Sequence, residues 1–77
     1  MEIKVLGSGC ANCKKLDENV REAVRELGID ADIQKVEEIA DIMAFGVMST
    51  PGLVVNGEVK ASGKALSVKE IKTLLQG

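Results

Sequence analysis

The sequence predicts an α/β domain of order β-α-β-α-β-β-α, with a four-stranded mixed sheet and three helices. Three observations lead there. A long amphipathic helical pattern separates two short segments of strand character, as in a parallel pair joined by a crossover. An Asn-Gly pair lies between two further short segments, as in a tight hairpin. A Ser-x-x-Glu capping box then opens a last apolar stripe of helical period.

The elements follow in order. Glu2 to Leu6 reads as a strand with Ile3 and Val5 on one side. Gly7-Ser8-Gly9 is a flexible loop. From Cys10 onward Leu16, Val20, Ala23, Val24 and Leu27 recur at helical spacing and share a face. Asp17, Glu18, Arg21, Glu22, Arg25 and Glu26 lie mainly on the other, and Gly28 is the natural stop. A second strand is expected over residues 30–36, where Ile29, Ala31 and Ile33 alternate with Asp30, Asp32 and Gln34. Glu37 to Phe45 reads as a second helix with Ile39, Ile42 and Met43 as its apolar face, Met43 packing in the core. Met43, Phe45 and Met48 also offer an alternative use as an apolar docking patch near the cysteines.

Thr50-Pro51-Gly52 breaks the chain. Leu53 to Val55 and Glu58 to Ala61 then flank Asn56-Gly57, which suits a type I′ turn. After Gly63, Ser67 is the expected N-cap and Glu70 its reciprocal partner. Val68, Ile71, Leu74 and Leu75 supply the stripe of the final helix.

A chain of 77 residues suits one domain, taken here as residues 1–77. Ten basic and twelve acidic residues give a formal net charge of -2. That balance offers no electrostatic footprint for nucleic acid or an anionic membrane. Phe45 is the sole aromatic residue, so no base-stacking platform exists. No apolar stretch is long enough for a spanning helix or a secretory leader, so a cytoplasmic location and a monomer are the expectations.

Chemistry concentrates at Cys10-Ala11-Asn12-Cys13. The pair encloses almost no loop and would hardly stabilise the fold as a staple. It stands where a strand ends and a helix begins. Residues three apart on a helix are neighbours, about 5–6 Å apart at Cβ, and a disulfide needs Cα atoms about 4.4–6.8 Å apart. The pair can therefore close and open without moving the scaffold. Unpaired N–H groups and the positive end of the helix dipole favour thiolate, the nucleophilic form, at Cys10. Lys14 and Lys15 either add to this or point into solvent. The expected cycle has Cys10 attack a substrate disulfide and Cys13, one turn in, resolve the mixed disulfide.

Two rival readings use the same cysteines. One is a soft-metal carrier, since two thiolates bind Cu(I), or Zn²⁺ with outside ligands. Small carrier domains have Met-x-Cys-x-x-Cys and end in a strand; here Ser8 stands at the methionine position and the chain ends in a helix. The other is a redox-sensing binding module without turnover. The chain has no histidine and no other cysteine, so a closed zinc site within one chain would need carboxylates; no metal and no cofactor beyond the Cys10–Cys13 disulfide are expected. Gly7-Ser8-Gly9 lacks the spacing of a phosphate-binding loop.

The chain resembles the thioredoxin/glutaredoxin family, in particular the very small redox-active disulfide proteins of archaea and bacteria. The resemblance rests on Cys10-Ala11-Asn12-Cys13, on Ser49-Thr50-Pro51 before a hairpin, and on an element order that spans essentially the whole chain. It implies a thioredoxin fold and a protein disulfide reductase. It also implies protein disulfides as substrates and a thioredoxin-reductase-like electron donor. Carried over, Pro51 is cis and lies beside the cysteines, while Thr50 offers its backbone to a substrate strand. Ala11, Asn12 and Gly63 would complete the substrate site, Gly63 otherwise being a plain turn glycine. There are departures. Gly9 replaces the tryptophan before the motif, and Ala11-Asn12 replace Gly-Pro. Lys4 stands where many thioredoxins carry a buried acid, which leaves the deprotonation of Cys13 without an agent.

Overall fold

A computed structural model describes residues 1–76. The element order is β1 (Glu2–Leu6), α1 (Ala11–Leu27), β2 (Asp32–Val36), α2 (Ile39–Ala44), β3 (Gly52–Val55), β4 (Glu58–Ser62) and α3 (Val68–Gln76). The sheet has the order β2-β1-β3-β4, with β1 parallel to β2 and the other pairs antiparallel. The two central strands are the most apolar, as strands covered on both faces must be.

Strand alternation divides the interior in two. Ile3 and Val5 of β1 and Leu53 and Val55 of β3 point toward α1 and α3, where they meet Leu16, Val20, Ala23 and Ile71. Leu6 and Val54 point the other way, toward Ile42 and Val47, with Phe45 partly buried beside them. Helices α1 and α3 are tied by a Lys72–Glu26 ion pair at 2.9 Å, and Asn19 of α1 donates to the Leu66 carbonyl at 2.8 Å.

The local chemistry of two elements matches their sequence signals. Asn56 and Gly57 both have positive φ, 50° and 84°, as the expected turn requires. The Ser67 amide donates to Glu70 Oε1 and the Glu70 amide donates to Ser67 Oγ, each at 3.1 Å, closing the capping box in both directions.

Three expectations need correction. β2 starts at Asp32 rather than at residue 30, because its ladder with β1 begins where Glu2 faces Asp32. α2 starts at Ile39 rather than Glu37, and it has a single buried residue, Ile42. Ile39 and Met43 are 70% and 67% exposed, so Met43 is not a core residue. Side chains one turn apart stack on one side of a helix; Ile39 and Met43 form such a stack, displaced from the side on which Ile42 meets the sheet. β4 also carries a bulge, since Leu53 faces Ala61 while Val54 faces Val59, leaving Lys60 unmatched. The last described element is the helix α3. Among the described residues no helix is long and apolar enough to cross a membrane.

Candidate active site

Cys10 is the N-cap of α1, with extended backbone (φ -69°, ψ 164°). Its Sγ accepts the Cys13 amide at 3.1 Å, the interaction an N-cap oxygen normally makes. Its carbonyl accepts the Lys14 amide at 3.0 Å and starts the helical ladder. The two cysteines are joined in a disulfide with Cα atoms 5.0 Å apart. No acidic residue occupies the first turn of α1, so nothing there offsets the positive end of the helix. Cys10 is exposed and Cys13 only 4% exposed. The outer cysteine is open to solvent and the inner one is shielded from it.

Gly7 explains how the pair is seated. It is buried at the end of β1, and its amide donates to the Val36 carbonyl at 2.9 Å. A Cβ on Gly7 would collide with Cys13 Sγ and would lie 3.9 Å from Pro51 Cα. The strand end, the inner sulfur and the proline therefore meet at one point. The Thr50–Pro51 peptide bond is cis, and Pro51 is fully buried. Gly63 closes this loop from the other side: its amide donates to the carbonyls of Ser49 at 3.1 Å and Pro51 at 2.8 Å. A side chain at Gly63 would press on Ser49, with a Cβ–Cβ separation of 3.1 Å. It is thus a contact residue of the Ser49–Pro51 loop, not merely a turn.

Ala11 and Asn12 are exposed on the first turn of α1. Thr50 and Ser8 line an apolar groove of about 620 Å³ that continues over Ile39, Met43, Val47 and Met48. Met48 is 98% exposed. Phe45 is not part of this groove; its ring faces Lys4 Nζ, 5.2 Å from the centroid. Lys4 also pairs with Glu2 at 3.7 Å. Sequence reasoning missed Gly7, which reads as loop, and missed a small cleft behind Cys13 that includes Lys35 and Glu37. Gly7 had a usable signal, since a strand that must pass under a disulfide has no room for a side chain. Lys35 and Glu37 had none, because nothing in the local sequence ties the end of β2 to the start of α1. Among the described residues there is no cluster of three or more metal-binding side chains.

Comparison with known proteins agrees with the fold and the cysteine geometry. The family described as "Thioredoxin domain" matches residues 1–76. A protein named thioredoxin from Methanothermobacter thermautotrophicus is 49% identical over 75 residues, covering 97% of each chain. Another of that name from Methanocaldococcus jannaschii is 43% identical over 74 residues, covering 96% of this chain and 85% of that one.

Proposed function

The chain belongs to the thioredoxin domain family and is a thiol–disulfide oxidoreductase; on that premise we propose that Cys10 is its attacking thiol and Cys13 its resolving thiol. The Cys10 thiolate attacks one sulfur of a protein disulfide, and the other substrate sulfur leaves as a thiol. Cys13 then attacks Cys10 Sγ, the Cys10–Cys13 bond forms, and the second substrate thiol is released. A thioredoxin-reductase-like donor of two electrons restores the dithiol. The reading is carried by the asymmetry of the pair: an exposed N-cap cysteine and an inner cysteine that is 4% exposed. No metal or organic cofactor enters the cycle.

Substrate is taken to lie across the exposed side of the pair. Ala11 and Asn12 would form one wall of the site. Thr50 would present its backbone to an extended segment, as sheet-edge recognition does, with Pro51 and Gly63 fixing the loop that carries it. The apolar groove from Thr50 to Met43 continues that surface.

Insulin reduction and trapping of intermediates test the assignment. Cys10→Ser should abolish reduction, and Cys13→Ser should accumulate a mixed disulfide through Cys10. Reduction retained by Cys10→Ser, or a mixed disulfide found on Cys13, would reverse the roles. A reduction potential between about -270 and -200 mV is the range expected of a thioredoxin- to glutaredoxin-like reductant.

A further inference from the structure

Before the inner sulfur can attack, it must lose its proton, and at 4% exposure Cys13 has little access to bulk water. Lys4 supplies no base: its ammonium lies against the Phe45 ring and Glu2. Behind Cys13, however, there is a cleft of about 140 Å³ bounded by Val5 and Gly7 and by Lys14, Lys35 and Glu37. One water needs only about 10–15 Å³ of such space and a few polar partners. Cys13 and Glu37 thus line one cleft, which has room for a bridging water.

We propose that Glu37 accepts the Cys13 proton in the resolving step, through the cleft between the end of β2 and the start of α1. The chain is anchored immediately before Glu37. Val36, the residue before it, accepts the Gly7 amide at 2.9 Å, and Gly7 lies directly beneath Cys13 Sγ. The other charged groups around Cys13 have different roles. From α1 come Lys14 and the N-terminal amides that Cys10 caps. From β2 comes Lys35, whose Nζ lies 3.9 Å from Asp17 Oδ2. Asp17, one turn beyond Cys13, is already engaged by Arg21 at 3.2 Å. Val5, the residue of β1 that lines the cleft, and Pro51 carry no charge, and the β1 charges Glu2 and Lys4 pair with each other. Glu37 has no ion-pair partner among the described residues, and its exposed position lets it return the proton to solvent. Lys14 and Lys35 favour the thiolate that remains.

The step balances. The Cys13 S–H proton passes to the Glu37 carboxylate, directly or over one water. The thiolate forms a bond to Cys10 Sγ, and the bond from Cys10 to the substrate sulfur breaks. The electron pair leaves on the substrate sulfur, which takes a proton from solvent.

This proposal rests on Cys10 attacking and Cys13 resolving, and one stopped-flow experiment separates the two claims. Reduced protein is mixed with 5,5′-dithiobis(2-nitrobenzoate). Attack by Cys10 releases one equivalent of thionitrobenzoate, and resolution by Cys13 releases the second. Glu37→Gln should leave the first phase unchanged. It should slow the second about a hundredfold or more near neutral pH, the usual contribution of a general base. The deficit should shrink as pH rises, because the thiol then ionises without a base. Glu37→Asp should recover much of the rate. A second phase that is unchanged, is faster, or is slowed equally at every pH would overturn the role of Glu37. A parent protein that gives no second equivalent would overturn the cysteine roles themselves, and the proposal with them.

Discussion

On one face of the sheet, α1 and α3 cover Ile3, Val5, Leu53 and Val55 with a continuous apolar layer. On the other face a six-residue helix brings one buried side chain, Ile42, to Leu6 and Val54. Ile39, Met43 and Met48 remain largely exposed there, beside the loop that ends in Pro51. The first face is where folding free energy is concentrated. The second keeps apolar surface open near the disulfide, under a thinner cover. The contrast is physical, since a small domain has a narrow stability margin. It can leave one face open only if the other is well packed.

The largest effect should come from the covered face. Leu16 is fully buried between α1 and the sheet. Leu16→Ala should cost about 2–5 kcal/mol, a large share of the about 5–15 kcal/mol typical of a whole domain. Urea unfolding of the oxidised protein measures it. A loss under about 1 kcal/mol would mean that this face relaxes freely and is not the stabilising one.

Gly7→Ala comes next. The added methyl has to displace Cys13 Sγ or the end of β1, and overpacking of this kind costs about 1–3 kcal/mol. The damage should appear both as lower stability and as slower exchange, since Gly7 joins the strand to the inner cysteine. Lost stability with unaltered exchange would separate the packing of β1 from the seating of the disulfide.

How far such residues could be read in advance depended on where their information lies. Asn56-Gly57 and Ser67 with Glu70 were legible because turn and cap chemistry acts within four residues. Cys10 and Cys13 were legible because three-residue spacing at a helix start is itself the geometry. α2 was misread. Its apolar residues repeat as a helix requires, but periodicity cannot say how much sheet lies beneath a given turn. Lys35 and Glu37 escaped for a related reason. They reach the Cys13 cleft only because β1 pairs with β2, a contact between distant segments.

The capping box belongs to the covered face and gives a smaller effect. Ser67→Ala should cost about 0.5–2 kcal/mol through the lost N-cap. Its partner adds a pH signature. The Ser67 amide, then Lys64 at 3.0 Å, hold the Glu70 carboxyl below its ordinary value of 4.5. A group with a depressed folded pKa stabilises above its unfolded value and loses that contribution as pH falls through the folded one. The advantage of the parent over Glu70→Gln should therefore be present above pH 4.5 and fade on acidification. A pH-independent difference would place it in packing rather than charge.

The smallest change in stability should come from the open face, and there it should be paired with a change in activity. Met43 and Met48 are 67% and 98% exposed. Replacing both with alanine should alter stability by no more than about 0.5 kcal/mol, as surface substitutions usually do. If the groove receives the substrate chain, kcat/KM for a protein disulfide should fall while the rate with a small aryl disulfide stays the same. A small aryl disulfide presents no polypeptide to occupy the groove that the two methionines line. An equal loss with both substrates would point to the cysteine pair instead. No loss with either would leave the open face with no part in recognition, and its thin cover would then reflect nothing more than the shortness of α2.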